Sequence, residues 1–414
     1  MLICRGVRQM LRLDELLLNY FKPDRVGISS FKTTSSGLIS EHRDENSLES
    51  KFPFSDPNIL VIVTGASGHL GSCFLQALEN EKCGLRAFIY EKEIPEYLKY
   101  SRAEFFHGDI RKKDELEQVF SNLEEFNSIY FYHLASKISI QDDEDSDVYT
   151  VNVDGTKNVI SLCTQYGVKR LIYVSSVHAI PEGENKNTIR ELEKSEQFIP
   201  AEVTGSYAKS KSIASRAIME ANNDKLETVI LHPSGIIGPG DYLIGYTSSL
   251  FLAFLKRQIR QTVRGGYDFI DVRDVVSCLL KSAYMARAGE TYIVSNQYVE
   301  IRDILNILAE YSGLKKIKHY TPMWLARLFC PFLIWIYKLR KMKPLYTKYS
   351  LYTLQANSSF SHSKASEVLA FAPRPIAETI RDTMQFLLKI KGDNIKIMKH
   401  LKRKTRRKGR RYKK

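Results

Sequence analysis

The amino-acid sequence predicts an α/β protein in which a doubly wound parallel sheet is followed by a smaller, mainly helical domain. Short apolar runs, rich in β-branched and aromatic side chains, alternate with stretches of helical periodicity between residues 58 and 231. The first run, residues 59–63, leads directly into a glycine-rich turn. A buried parallel strand before its crossover helix has this pattern. The 414 residues, 43% of them hydrophobic, suffice for more than one domain.

The individual elements follow from the same alternation. We predict strands at 59–63, 85–90, 129–134, 170–174 and 228–231, and helices at 72–81, 153–165 and 207–221. After Pro233 the alternation loosens, and helical stretches dominate beyond Ile301. We expect residues 268–275 to return to the sheet. The predicted units are a poorly ordered N-terminal extension (1–56), the sheet domain (57–231 with 267–298), a substrate domain (232–266 with 299–390) and a disordered basic tail (391–414).

A glycine-rich segment, Thr64–Gly71, follows the first predicted strand and opens a helix. Gly65 permits a tight turn, Gly68 lets the backbone approach a pyrophosphate, and Gly71 allows close packing of helix on strand. The free N–H groups of the helix N-terminus complete an anion site. The segment therefore predicts a dinucleotide site of the Rossmann type. Within this segment we also expect Ser67, His69 and Leu70 to contact the dinucleotide.

An acidic residue indicates which dinucleotide is bound. Glu91 lies 20 residues beyond Gly71, at the end of the second predicted strand. A carboxylate there accepts hydrogen bonds from the ribose hydroxyls and repels a 2′-phosphate. The sequence thus favours NAD. NADP is the alternative, because Lys92 adjoins this carboxylate.

Three polar side chains form a candidate catalytic group. Tyr207 and Lys211 stand four residues apart on a predicted helix, so they share one face. A neighbouring ammonium and an oxidised nicotinamide would lower the phenol pKa from about 10 and allow proton transfer. Ser175 and Ser176 follow the strand 170–174, at the sheet edge where a hydroxyl can hold the reacting oxygen. We interpret the nearby His178 as a loop residue without a role.

Together these motifs, a Gly-x-x-Gly-x-x-Gly turn and Ser-Ser followed about 30 residues on by Tyr-x-x-x-Lys, resemble the extended short-chain dehydrogenase/reductase superfamily over roughly residues 58–388. The resemblance implies that the catalytic residues are Ser176, Tyr207 and Lys211, with Ser175 as the alternative to Ser176. It implies further cofactor contacts from Tyr207 and Lys211 themselves and from Asp109, Ile110, Leu134, Ala135, Ser136 and Pro233. Read from the residues alone, Asp109 would equally cap a helix beginning at Lys112. Asn152 matches a recurrent helix position of the superfamily, and its plain interpretation is a helix-bridging hydrogen bond.

The segment after the last predicted strand, His232–Asp241, separates branches of that superfamily. Nucleotide-sugar epimerases usually carry Arg-x-x-Asn-x-Tyr-Gly-Pro here, and this chain lacks the Arg, Asn and Tyr. The segment, with Asp268–Val275 downstream, is more similar to the 3β-hydroxysteroid dehydrogenase and dihydroflavonol reductase branch. That resemblance implies an oxidoreductase that interconverts a secondary alcohol and a ketone on a bulky apolar substrate, such as a steroid, isoprenoid or flavonoid. The alternatives are a nucleotide-sugar epimerase or dehydratase and a non-catalytic NAD(P)-sensing module.

Charge and cysteine content bear on partners and location. Residues 389–414 hold fourteen Lys or Arg against one acid and so carry +13 of the net +14, which leaves the body nearly neutral and makes nucleic acid an unexpected partner. The tail and the tryptophan-rich stretch 323–343 suit peripheral contact with an anionic membrane, or the stretch caps an apolar pocket. Six scattered cysteines, with no metal-ligand spacing, predict a cytoplasmic setting without a metal site. An organelle transit peptide and a homodimer remain open alternatives.

Overall fold

The computed structural model describes residues 53–139, 145–182, 187–328, 330 and 347–391. Its strands are β1 (Ile59–Thr64), β2 (Gly84–Ile89), β3 (Glu104–His107), β4 (Ser128–His133), β5 (Arg170–Val174), β6 (Glu227–Pro233), β7 (Gly235–Ile237), β8 (Thr262–Val263), β9 (Gly266–Asp271), β10 (Thr291–Val294), β11 (Gln297–Glu300) and β12 (Tyr320–Thr321). The predicted extension up to residue 52 and the basic tail from residue 392 lie outside the described residues.

The helices whose bounds fall within these ranges are α1 (His69–Leu78), α2 (Lys113–Glu117), α3 (Ser146–Tyr149), α4 (Gly155–Gln165), α5 (Ser206–Glu220), α6 (Tyr246–Leu255), α7 (Val272–Ser282), α8 (Ile301–Ser312), α9 (Lys348–Thr353), α10 (Ser363–Leu369) and α11 (Ile376–Lys391). No helix in the described part of the chain is both long and apolar enough to cross a membrane.

Seven parallel strands form the main sheet, in the order β10-β6-β5-β4-β1-β2-β3. Successive strands lie outward from β1 on one side and from β4 on the other, so the order reverses between these two strands. Val61 and Val63 of β1 face α1 and α7, whereas Leu60 and Ile62 face the layer that contains α2, α4 and α5. The predicted doubly wound sheet is therefore confirmed. Ligands bind such sheets at the carboxyl edge, next to the reversal point.

Two strands of the main sheet, β3 and β10, escaped prediction. Strand β3 lies at the edge of the sheet and has exposed residues at both ends, Glu104 and His107. Its neighbour β2 carries a buried Arg86, whose guanidinium donates to the carbonyls of Val119 and Ser121. An edge strand with polar ends lacks the apolar run that identifies a central strand.

The prediction that residues 268–275 return to the main sheet is wrong, because they begin in a separate, second unit of the structure. Strand β9 does not enter the main sheet; it pairs in parallel with β7 and antiparallel with β11 in a separate three-stranded sheet. The chain returns to the main sheet through β10, which occupies the free edge of β6. The apolar pattern of β9 marks a strand but does not specify its partner, and this is why the sheet was assigned wrongly.

A buried ionic cluster joins β9 to the last helix. Asp271 caps α7, accepting from the backbone N–H of Arg273, and its carboxylate also receives the Arg273 guanidinium at 2.7–2.9 Å. The same guanidinium lies 3.0 Å from Asp382 of α11. All three side chains are almost fully buried. Arg273 therefore neutralises two carboxylates that would otherwise face each other without water.

Replacing Arg273 tests how much its guanidinium contributes to the stability of the fold. We expect Arg273→Met to lower the free energy of unfolding by about 3 kcal/mol or more, because two buried carboxylates lose their shared counter-charge. Arg381→Met is the matched control, since Arg381 also pairs with Asp382 but is 42% exposed, and we expect a loss of about 0–1 kcal/mol. Urea unfolding of both variants measures the difference, and equal losses would contradict the assigned role.

Candidate active site

The glycine turn after β1 has the shape that a dinucleotide needs. Gly65 has φ +68°, and a Cβ there would lie 2.5 Å from the backbone nitrogen of Ala135. A Cβ on Gly71 would lie 2.2 Å from the Gly65 carbonyl oxygen, so helix and turn pack without room for a side chain. At Gly68 the nearest atom to a Cβ is 3.2 Å away. The first N–H groups of α1 receive no side-chain cap from Gly68, and an anion can bind them.

Side chains from neighbouring loops line this turn. Ser67 donates its hydroxyl to the Glu91 carboxylate at 2.8 Å, which places the acid beside the turn at the end of β2. Tyr97 donates to the Ser67 carbonyl at 2.6 Å, and the His69 ring lies 3.0 Å from the Pro239 carbonyl. Leu70 packs against the core. The residues present therefore fit a pyrophosphate on the turn and a ribose beside Glu91.

Asp109 was predicted either to contact the cofactor or to cap a helix, and its position excludes the helix cap. Its carboxylate makes an ion pair with Arg111 and accepts from the Arg111 backbone N–H at 3.0 Å. Hydrogen bonds from Arg111 lower the pKa of Asp109. Helix α2 begins at Lys113, and its N-cap Lys112 has no side-chain cap bond. Asp109 therefore does not cap this helix. The side chain of the adjacent Ile110 packs against Gly155, and a Cβ on Gly155 would lie only 2.4 Å from the Cγ1 atom of Ile110.

The loop after β4 joins the cofactor turn to the catalytic helix. The backbone N–H of Leu134 donates to the Thr64 carbonyl at 3.2 Å, and Ser136 donates to the Asn152 side chain at 3.2 Å. Asn152 also bonds both backbone groups of Lys137, at 2.8 and 3.0 Å, and the Ser210 hydroxyl of α5 at 3.0 Å. It thus makes the predicted bridging hydrogen bond, from a π-helical turn (Thr150–Asp154).

Lys211 is buried beside the end of β5. Its side chain is part of α5, is 1% exposed, and donates its ammonium to the Val174 carbonyl at 2.8 Å. The ammonium also lies 4.6 Å from the centre of the Tyr173 ring. Burial lowers the pKa of Lys211 to about 7. The lysine therefore ties α5 to the sheet edge, and its ammonium form predominates only below a pH of about 7.

Tyr207 lies one helical turn before Lys211. Burial raises its pKa to about 12, and hydrogen bonds with Ser176 and Ser136 offset that effect only in part. We expected the neighbouring ammonium to lower this pKa. The difference arises because burial of the phenol outweighs the groups that lower its pKa, and Lys211 is not one of those groups. The protein alone keeps Tyr207 protonated.

The two serines after β5 point to different surroundings. The Ser175 hydroxyl lies 2.7 Å from that of Ser215 in α5, within the core. Ser176 instead lies near Tyr207, whose pKa its hydroxyl lowers, and it accepts from the backbone N–H of His178 at 3.2 Å. Its carbonyl lies 3.0 Å from Nδ1 of His232, which must donate. The structure thus brings Ser176, and not Ser175, to Tyr207; Pro233 follows His232 in β6.

Tyr207 opens on an apolar cavity of about 240 Å³ between the main sheet edge and the second unit. Tyr207 and His178 line it from one side. Tyr246, Tyr267 and Tyr349 line it from the other side, and sequence reasoning missed all three. A Cβ on Gly205, which has φ +92°, would lie 2.5 Å from the Tyr349 ring, so this glycine lets α9 approach the start of α5. No short-range pattern marks such distant residues.

A dinucleotide turn, a buried Ser-Tyr-Lys group and an adjoining apolar cavity define an NAD(P)-dependent oxidoreductase of the short-chain type. The model of the 3-beta hydroxysteroid dehydrogenase/isomerase family matches residues 62–268, and this chain belongs to that family. The predicted superfamily, branch and enzyme class are therefore confirmed.

Individual relatives agree with this membership. The chain is 28% identical to sterol demethylase protein B of Methylococcus capsulatus, over 61% of this chain and 74% of that protein. It is 27% identical to the Schizosaccharomyces pombe sterol-4-alpha-carboxylate 3-dehydrogenase, decarboxylating, over 80% of this chain and 97% of that protein. A UDP-glucuronic acid 4-epimerase from Bacillus cereus, solved with NAD, shares the fold at a TM-score of 0.60 and 18% identity, over 80% and 96% of the two chains.

The serine pair gives a direct test of the site. We expect Ser176→Ala to lower kcat roughly 100-fold, because the reacting oxygen loses a positioned donor. Ser175→Ala is the matched control: it removes a buried hydrogen bond to Ser215, so we expect about 1 kcal/mol less stability and an almost unchanged kcat. Steady-state kinetics with thermal unfolding of both variants measures this. A kcat loss confined to the Ser175 variant would reverse the assignment.

The buried lysine gives a pH test. Because its folded pKa, about 7, lies below that of an unfolded lysine, Lys211 destabilises the fold most when charged in both states, below pH 7. That penalty fades as pH rises from 7 towards the unfolded value. We expect Lys211→Met to be inactive and to raise Tm relative to wild type, by more at pH 6 than at pH 10. A gain that is larger at pH 10 would contradict this account.

Proposed function

We propose that the protein catalyses reversible hydride transfer between NAD and a secondary alcohol on a sterol-like substrate. The observation that carries this proposal is the position of Tyr207 on the wall of the apolar cavity, with the Ser176 hydroxyl near enough to lower the pKa of the phenol. A carbinol oxygen entering from the cavity would meet both hydroxyl groups. Ser176 and Tyr207 are the proposed catalytic residues, and Lys211 is the proposed positioning cation.

The proposed proton path uses the chain's own groups. Ser176 donates a hydrogen bond to the substrate oxygen and orients it. In the oxidising direction Tyr207 first releases its phenol proton to solvent, and its phenolate then accepts the carbinol proton; in the reducing direction the phenol returns a proton to the substrate oxygen. NAD, when bound, accepts the hydride. Since burial holds the Tyr207 proton firmly, the phenol needs a positive charge beside it to become a base. An oxidised nicotinamide, when bound, would supply this positive charge.

For the cofactor, we propose NAD held by the glycine turn and by Glu91. The bond from Ser67 fixes this carboxylate where a 2′-phosphate would be repelled. We propose that the other predicted contacts line the same site. They are Tyr207, Lys211, Gly65, Ser67, Gly68, His69, Leu70, Gly71, Asp109, Ile110, Leu134, Ala135, Ser136 and Pro233. The domain boundaries predicted above are likewise part of the proposal.

The charge of the cavity supports a sterol-like substrate over a nucleotide sugar. Among the described lining residues there is no Lys or Arg that could hold a diphosphate. The wall is mostly aromatic and aliphatic. Two relatives are named as enzymes of sterols, and one of these names specifies a sterol 4-carboxylate and a decarboxylation. A sterol with a carboxylate next to the reacting carbinol is therefore our second candidate substrate.

We also propose a cytoplasmic enzyme that contacts membranes peripherally. Trp324 and Leu328 support this, because they are 68% and 66% exposed and precede basic residues. Residues 331–343 and the basic tail, which complete the predicted contact, lie outside the described residues. A homodimer stays a prediction.

Turnover assays test the catalytic proposal. Purified protein is incubated with NAD or NADP and either 3β-hydroxysteroids or UDP-sugars, and reduced cofactor is followed by absorbance. We expect reduced cofactor only with steroids, a preference for NAD, and a loss of at least 100-fold in Tyr207→Phe. Sugar conversion without net cofactor reduction would establish an epimerase instead. Cofactor binding without turnover of any substrate would establish a sensing module.

A further inference from the structure

A buried histidine connects the Ser176 turn to the neighbouring strand. His232 belongs to β6 and is fully buried. Strands β5 and β6 are paired up to Val174 and Leu231. Beyond this pair a side chain connects the two segments, because Nδ1 of His232 donates to the Ser176 carbonyl at 3.0 Å. The proposed proton path does not use this imidazole.

The Ser176 carbonyl accepts a second hydrogen bond as well. The backbone N–H of Ala179 donates to it at 3.0 Å and closes the 3-10 turn Val177–Ala179. The Ser176 hydroxyl accepts from the backbone N–H of His178, in the same turn, at 3.2 Å. These two bonds fix Ser176 relative to its own turn, whereas the bond from His232 fixes it relative to the sheet. The place of the Ser176 hydroxyl near Tyr207 therefore depends on His232.

The orientation and the tautomer of the His232 ring are both defined. The Phe198 ring, which is also fully buried, stacks on the imidazole with centroids 5.7 Å apart and an angle of 24° between the planes. Burial lowers the pKa of His232 to about 4, and the charge of Lys211 acts in the same direction. The ring is thus neutral at physiological pH. Because a carbonyl can only accept, its proton is on Nδ1.

The second ring nitrogen shows that core packing does not explain a histidine here. Within the described part of the chain, Nε2 of His232 is buried and has no hydrogen-bond partner. A buried polar atom in this state costs free energy. A leucine has a similar volume and would fill the place without that cost. What a leucine lacks is a donor for the Ser176 carbonyl.

We propose that His232 is a positioning residue, which holds the Ser176 carbonyl to the sheet edge and so keeps the Ser176 hydroxyl where it can orient the reacting oxygen beside Tyr207. This inference rests on the proposed function, since it takes Ser176 to bind the carbinol oxygen. His232 itself is buried and touches no substrate. Binding of the substrate depends on the apolar wall, whereas the rate depends on the exact place of the donor. The effect of His232 is therefore on kcat and not on KM.

Two variants of nearly the same shape test this role. In His232→Asn the side-chain N–H group takes the place of Nδ1, whereas His232→Leu has no donor. With NAD and a 3β-hydroxysteroid, we expect His232→Leu to lower kcat about tenfold with KM changed less than about twofold, because one hydrogen bond is lost. We expect kcat of His232→Asn to stay within about threefold of the wild type.

The stability of the two variants should follow the opposite order. Leucine removes the unpartnered nitrogen, whereas asparagine leaves a buried amide oxygen without a donor, so we expect the higher Tm for His232→Leu. Thermal unfolding measures this. A residue that only supported the core would lower kcat and Tm in the same order, and that result would overturn the proposal. So would an unchanged kcat in His232→Leu.

Crystal structures of both variants with NAD give a readout that needs no turnover. We expect the Ser176 turn to keep its place in His232→Asn and to shift away from the sheet edge in His232→Leu. An unmoved Ser176 in His232→Leu would overturn the positioning role, even with an active wild type. A wild type that oxidised no steroid would instead contradict the proposed function, and the two structures would still decide whether His232 positions Ser176.

Discussion

The bond from the Lys211 ammonium to the Val174 carbonyl is the constraint around which the site is arranged. A lysine buried to this degree is costly unless its charge is met by polar atoms. The Lys211 ammonium interacts with two such groups, the last carbonyl of β5 and the face of the Tyr173 ring. Because the ammonium reaches that carbonyl only from one rotation of α5, the helix is fixed against the sheet edge. Tyr207, one turn earlier on the same face, is then fixed beside Ser176.

A second close approach aligns the cofactor turn with this edge. The turn at Gly65 comes so near to Ala135 that no Cβ fits, and the loop that carries Ala135 continues to Ser136, which donates to Asn152 and lowers the pKa of Tyr207. Asn152 holds the same loop to α5. Glycine turn and catalytic helix are therefore both tied to the segment after β4. Two sites encoded more than 130 residues apart acquire one geometry through that short connection.

The sequence predicted those features that depend on local pattern. Central strands were found because both faces are buried and the apolar run is unbroken, and the glycine turn because each glycine has a steric reason. Strand β3 was missed because an edge strand tolerates Glu104 and His107. The partner of β9 was assigned wrongly, since strand pairing depends on which edges other segments leave free. Tyr349 and the raised pKa of Tyr207 depend on distant packing and burial, which no local pattern contains.

The raised pKa of Tyr207 has a consequence for the order of events. The Lys211 ammonium donates to a carbonyl, and the serine hydroxyls offset only part of the effect that burial has on the phenol. Tyr207 can thus act as a base only while another positive charge lies next to it. An oxidised nicotinamide would supply such a charge. Tyr207 also lines the apolar cavity. In the proposed mechanism Tyr207 therefore stays protonated in the free protein and releases its proton to solvent only when a positive charge lies beside it, so that the phenolate base forms only in the cofactor-bound protein.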